Sequence, residues 1–211
     1  MKIALVCDWY RPRIGGIELH LEQLARRLTA AGHEVTVITP TGGEAGPVAG
    51  VRLVRLRGGL LPCVGLMWTP AAFRRLGAAL RAEAWDVVHV HGSLISPTAC
   101  AALYHAQAAG RPAALTVHSV WGGYRRIFSA LDFFSGWTRW PVAFSAVSDR
   151  AAGDLRAVLG AVPVRLLPNA IESGEWRGAA NPPTDHVVIA CVMRLAPRKR
   201  GGALLRAARA V

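Results

Sequence analysis

Apolar positions along this chain keep two alternating rhythms. Short runs that are apolar at most positions recur at residues 2–7, 34–39, 51–56, 86–90, 113–117, 142–147 and 163–167, with a further one at 187–192. Several are near-continuous, which predicts parallel strands covered on both faces, because a one-sided strand would alternate apolar with polar. Between these runs the period lengthens to that of a helix. Over 17–31, Ile17, Leu21, Leu24 and Leu28 fall on one face at i, i+4, i+7 and i+11, and Gly32 supplies a stop. Further helices are expected over 71–84, over 96–109 with Gly110 ending it, and over 148–159 with Ser148 as N-cap. The alternation predicts an α/β fold with a doubly wound parallel sheet and ligands at the carboxyl ends of its strands.

Residues 169–185 change character. Gly, Pro and polar side chains accumulate there, as in an interdomain linker. A new strand is expected from 187 and a helix from Gly201. The chain therefore reads as a complete Rossmann-like domain over 1–168, a linker over 169–185, and the opening of a second domain over 186–211. It carries no internal repeat and no low-complexity tract.

Composition narrows the partners. A hydrophobic content of 52% with 18% charged residues fits a packed globular chain and argues against disorder. The formal charge is +12, and residues 186–211 hold six basic residues and no acidic one, so half of the excess sits in that short stretch. Such a balance favours nucleotide phosphates, acidic lipid or nucleic acid without choosing among them. Only Lys2 and Lys199 are lysines, which makes Lys199 stand out. Cys7, Cys63, Cys100 and Cys191 lie far apart, so neither a zinc knuckle nor a redox pair is supported. Cys7 and Cys191 fall within expected buried strands, as reduced thiols of a cytoplasmic protein. Met1-Lys2 runs directly into a strand with no signal peptide, and no run is long and apolar enough to span a membrane.

Four groups of residues could carry chemistry. Gly15-Gly16 open the first helix, where unpaired N–H groups and the helix dipole suit a phosphate; an ordinary tight turn fits the spacing equally well. The nicotinamide fingerprint fits badly, since the glycines come late after the strand and the third is missing. His89, His91 and His118 sit at or just past strand ends, where a His can bond a sugar hydroxyl or a phosphate, or move a proton. His89, between Val88 and Val90, reads as a packing residue, whereas His118 reads as functional. No Cys or carboxylate supports a zinc site among these histidines, so no metal is expected. Arg194 and Lys199 follow the strand at 187–192, where a planar fork and a flexible ammonium suit a diphosphate; a solvated basic loop is the alternative. Aromatic-basic clusters occur at Met67-Trp68 with Phe73-Arg74-Arg75, and from Trp121 to Trp140. They read either as an interfacial membrane contact or as core plus a solvated face. Single-stranded nucleic acid would suit the same chemistry, but no recognised nucleic-acid fold accompanies it.

Six motifs stand in a fixed order. They are Trp9 to Val35, containing Gly15-Gly16-Ile17-Glu18 and Gly32-His33-Glu34-Val35; Asp86-Val87-Val88-His89-Val90-His91; Thr116-Val117-His118; Val147-Ser148 to Leu155; Pro168-Asn169-Ala170-Ile171-Glu172; and Arg194-Leu195-Ala196-Pro197-Arg198-Lys199. Together they resemble the retaining glycosyltransferases of family GT4, which have the GT-B fold. From His89 to Gly123 the nearest flavour is that of the transferases that glycosylate phosphatidylinositol.

The resemblance implies transfer of a hexose-type sugar from a nucleotide-sugar donor, linked to uridine or guanosine diphosphate, to a lipid-linked or small anionic acceptor. It implies no cofactor, no nucleic acid, and a peripheral contact at the inner face of the membrane. By this analogy Gly15 and Gly16 approach the donor phosphate and His118 lies beside the transferred sugar as the catalytic residue. Arg194 and Lys199 stabilise the leaving diphosphate, and Trp9, Tyr10, Arg13 and His91 line the acceptor side. Two departures stand against the family pattern. Met193 replaces the usual Gly, and the later Glu-containing segment that grips the donor does not occur before Val211. A GT-B site lies between two domains, so the chain alone is expected to be inactive, either as a fragment or as a truncated product. A catalytically incomplete α/β module that binds an anionic membrane or ligand is the competing expectation.

Overall fold

A computed structural model describes residues 1–44, 46–56, 67, 69–170, 174, 185, 188–193 and 199–210. Seven strands form one sheet: β1 (Lys2–Cys7), β2 (Glu34–Thr39), β3 (Val51–Arg55), β4 (Val87–Gly92), β5 (Ala113–Val117), β6 (Val142–Ala146) and β7 (Val164–Leu166). Their order is β3-β2-β1-β4-β5-β6-β7 and every pairing is parallel. The chain reverses its direction of winding between β1 and β4, and such a switch point opens a crevice at the strands' carboxyl ends. The expected α/β architecture is what forms.

The helices are α1 (Gly16–Ala30), α2 (Pro70–Arg81), α3 (Pro97–Ala108), α4 (Arg125–Ser135), α5 (Asp149–Leu159) and α6 (Gly201–Arg209). The apolar face of α1 is the expected one, with Leu21 and Ala25 buried and Ile17, Leu24 and Leu28 packed beside them. Thr69 and Ser148 cap α2 and α5, their hydroxyls accepting the amides of Ala72 and Ala151. Gly32 and Gly110 take positive φ, at 84° and 61°, where α1 and α3 end.

Alternate residues of β1 serve opposite faces. Ile3, Leu5 and Cys7 join Val35, Val37 and α1 in one core, while Ala4 and Val6 join Val88, Val90 and the α2–α3 side in the other. Burial of both faces explains why the central strands lack polar alternation. Asp86 Oδ2 accepts the Lys2 amide at 2.7 Å, which ties the start of β1 to the entry of β4. Among the described residues no helix is long and apolar enough to cross a membrane.

The chain divides into two units, Met1–Glu172 and Ser173–Val211. In the second, the strand expected over 187–192 is absent from residues 188–192, whose backbone has no regular structure. Val188, Ile189 and Val192 are exposed, and so is Cys191, against the expectation of a buried thiol. The physical reason is pairing. A strand needs neighbours for its N–H and C=O groups, and apolar composition alone does not hold one. The other difference is α4, a helix within the stretch from Trp121 to Trp140 where the sequence shows only an aromatic-basic cluster.

Candidate functional site

The crevice is built from the ends of β1, β4 and β5 and the first turns of α1. Asp8 directly follows β1 and is buried. Its Oδ1 accepts the Thr98 amide at 3.0 Å, in the first turn of α3. Burial pushes this carboxyl up to about 6, against the hydrogen bonds from Thr98. Asp8 thus joins β1 to α3 across the switch point, a role the sequence reading missed. Its position as the first residue past the strand is the signal that could have found it.

Trp9 and Arg13 form the next layer. The Arg13 guanidinium lies 3.9 Å from the Trp9 ring centroid, within cation–π range, and its Nε is 3.0 Å from Glu18 Oε1. Glu18 is buried in the first turn of α1. Tyr10 departs from the expected acceptor-lining position. Only 2% of it is exposed, and it packs with Ile3, Leu5, Cys7 and Leu21.

Gly15 is the N-cap of α1 in extended conformation, and no side chain caps the helix. At Gly16 an added Cβ would meet no atom within 4 Å. The first-turn amides have no side-chain cap, and the helix's partial positive charge stands behind them.

The histidines face this opening. His91 Nδ1 and His118 Nε2 are 2.9 Å apart and share a hydrogen bond. His20, in the second turn of α1, brings its ring centroid to 5.4 Å from that of His118 and 5.9 Å from that of His91. Sequence reasoning missed His20, because only the tertiary approach of α1 to β4 and β5 brings it in. His89 Nε2 bonds Thr116 Oγ1 at 2.7 Å, and Thr116 Oγ1 pairs with Ser145 Oγ at 2.8 Å. This chain of polar groups spans β4, β5 and β6, so His89 is a structural residue, as its flanking valines suggest. His91 is buried beneath the rings of His20, His89 and His118. It supports His118 from behind, and the expectation that it lines the acceptor side does not hold.

Electrostatics fix the protonation of the group. Burial lowers His118 to about 3 and His89 to about 4, with the nearby His20 adding to both. Burial also holds His91 well below its ordinary value and lowers His20. The cluster is neutral at physiological pH, so His118 offers a neutral imidazole and no positive charge. His20, His91 and His118 each offer a nitrogen within 4.8 Å of the others. Imidazoles suit zinc or copper, but the His91–His118 bond engages a nitrogen of each ring, and among the described residues no carboxylate joins the set.

Of the expected phosphate ligands, Arg194 lies outside the described residues. Lys199 is exposed just before α6 in the second unit. The structure brings together Gly16, Trp9, Arg13, His91 and His118 around one crevice, with Asp8 and His20 added.

Comparisons with known proteins show what the chain is similar to. The chain is 30% identical over 215 residues to a phosphatidylinositol N-acetylglucosaminyltransferase subunit of Arabidopsis thaliana, covering 94% of this chain and 46% of that protein. To its Homo sapiens counterpart it is 27% identical over 211 residues, covering 94% and 42%. To the phosphatidyl-myo-inositol mannosyltransferase of Mycolicibacterium smegmatis it is 31% identical over 132 residues, covering 56% and 31%. The chain spans about half the length, or less, of these relatives. The model of Glycosyltransferase Family 4 matches residues 14–175, from the Gly15-Gly16 turn past the end of β7, and with that span matched the chain belongs to glycosyltransferase family 4.

Proposed function

We propose that this chain is the acceptor-side half of a retaining glycosyltransferase. It moves a sugar from a uridine- or guanosine-diphosphate sugar to the inositol headgroup of a membrane phospholipid. One observation carries the reading: α1, which has no side-chain cap at Gly15, starts beside a neutral pair of buried His91 and half-buried His118 at the sheet's switch point. The names of the relatives support the lipid acceptor.

In this reading the α1 amides and dipole receive the donor's phosphate, because backbone donors and a partial positive charge match an anion. Negative charge grows on the diphosphate as its bond to the sugar breaks, so fixed donors lower the barrier without reorganising. Arg194 and Lys199, by the family resemblance, are the cations of the second unit that suit a diphosphate. His118, neutral and anchored by His91, hydrogen-bonds the transferred sugar. The stacked Trp9–Arg13 pair, locked by Glu18, presents a ring and a cation to the inositol phosphate. The acceptor oxygen bonds the anomeric carbon, that carbon's bond to the nucleoside diphosphate breaks, and the acceptor's proton passes to the departing diphosphate. The enzyme works as a peripheral protein at the cytoplasmic membrane face.

The test supplies the whole gene product with radiolabelled uridine- and guanosine-diphosphate sugars and vesicles containing phosphatidylinositol. Label entering the lipid fraction, and lost on omitting phosphatidylinositol, is the expected result. No transfer with any donor, alongside saturable binding to anionic vesicles, would establish the non-catalytic binding module instead.

A further inference from the structure

A second space lies on the α2–α3 side of the sheet. A cavity of about 750 Å³ is walled by Phe73, Tyr104, Trp121, Phe128, Trp137 and Trp140. Its volume is in the range of ligand pockets, and its surface is almost wholly apolar. Trp121 and Phe128 stack at 3.8 Å between centroids, and Trp137 meets Phe144 edge-on at 5.8 Å. The wall is therefore a fixed aromatic frame.

The two ends of the cavity differ. At the inner end stand Gly92 and Ser93, which directly follow His91, and Val117, which directly precedes His118. Gly92 and Val117 face the α2–α3 side of the sheet, so the cavity meets the carboxyl ends of β4 and β5 on the face opposite His91. At the outer end stand Leu131 and Phe134 of α4, and Phe134 is 85% exposed. The helix buries none of its residues. Arg125 and Arg126 of α4, and Arg139 just after it, are exposed. An amphipathic helix with arginines beside Phe and Leu suits the interface of an anionic bilayer.

From this arrangement we infer that the cavity houses one acyl chain of the lipid acceptor, entering past Leu131 and Phe134. The inference rests on the phosphoinositide reading above and adds a subsite to it. An apolar cavity that reaches from the carboxyl ends of β4 and β5 to the exposed aromatic side chains of α4 suits the chain of a phospholipid whose headgroup lies over those strand ends. The headgroup lies at the crevice, a chain lies along the aromatic wall, and the bilayer lies outside α4. Holding a chain in place would draw the lipid partly out of the membrane and bring its inositol to His118.

Monomeric lysophosphatidylinositols of increasing chain length, some brominated near the chain end, test the subsite on this chain. Affinity should rise about fourfold per added methylene, with one lipid bound per chain. The brominated chain should quench the fluorescence of Trp121, Trp137 and Trp140. Leu131→Glu and Phe134→Glu, both at exposed positions, should lose the quench while keeping the melting temperature. Phe133→Ser, on an exposed residue outside the cavity wall, should keep it. Equal loss with Phe133→Ser would mean surface adsorption and overturn the cavity. Calorimetry with glycerophosphoinositol separates this inference from the functional reading. Headgroup binding without chain-length dependence or quench overturns the acyl subsite alone. Quench without headgroup binding keeps the subsite and overturns the inositol acceptor.

Discussion

Helices α1 and α4 both follow a strand's carboxyl end, and they treat their side chains in opposite ways. In α1 the buried set includes two glutamates, Glu18 and Glu22, beside Leu21 and Ala25. Arg13 pairs with Glu18, and Arg11 and Arg26 pair with Glu22. In α4 no residue is buried, and Phe133 and Phe134 stand 83% and 85% exposed. One helix hides charge and the other shows aromatics. Burying a carboxylate costs free energy unless it is paired, so a helix that does so is fixed in position. Exposing two phenylalanines has no such reward in water and points to an apolar partner. The first helix is held in place by its paired carboxylates, and the second leaves its aromatics exposed.

The contrast can be broken most directly by truncating each helix's leucine. Leu21→Ala should cost about 2–5 kcal/mol in chemical denaturation, as buried leucines do. Leu131→Ala should stay within about 0.5 kcal/mol. Equal costs would mean that α4 is packed in solution. The charged residues come next. Arg13→Ala strands a buried Glu18 and should cost about 1–3 kcal/mol. Arg125→Ala, 3.8 Å from Asp154 and half exposed, should be close to neutral.

Acid sharpens the comparison through the histidines that α1 helps to cover. Their ordinary value is 6.5, and in the fold His118 and His89 titrate at about 3 and about 4. Below pH 6.5 the unfolded chain therefore takes up protons that the folded chain refuses, and stability falls as pH falls towards 4. Asp8 opposes this, since its raised value lets the folded chain take up a proton first. Four lowered histidines at His20, His89, His91 and His118 outweigh it. Urea midpoints at pH 7.5 and pH 5, compared at about equal salt, should show the loss, and His118→Gln should reduce it. Gly16→Ala is the substitution expected to stabilise. Its Cβ meets nothing, and alanine favours the helix by up to about 1 kcal/mol. Donor affinity should nevertheless fall, because the new methyl stands where the phosphate would approach. Unchanged donor binding would remove the α1 terminus from the site.

Much of this was legible in the sequence. The strands β1, β2, β4 and β5 announced themselves as apolar runs because both of their faces are covered. The register of α1 could be read from Ile17, Leu21, Leu24 and Leu28. His118 was marked by its place just past β5. What stayed hidden depends on tertiary contact. Nothing near His20 in sequence says that it meets His91 and His118. Tyr10 and Trp9 are neighbours of similar type, and only the fold turns one inward. The run at 188–192 is as apolar as β2, yet it has no paired neighbour and forms no strand. The cavity is joint work of α2, α3, α4 and β5, which no local pattern encodes.

The central claim is that the crevice between α1 and the His91–His118 pair is where sugar is transferred. Transfer from the preferred nucleotide sugar to phosphatidylinositol vesicles should be compared between the unmodified gene product and His118→Ala, with melting temperatures measured alongside. The account predicts a fall of about a hundredfold or more in turnover, the scale of losing one fixed donor at a reaction centre, with the fold retained. Undiminished transfer by a folded His118→Ala protein would contradict it.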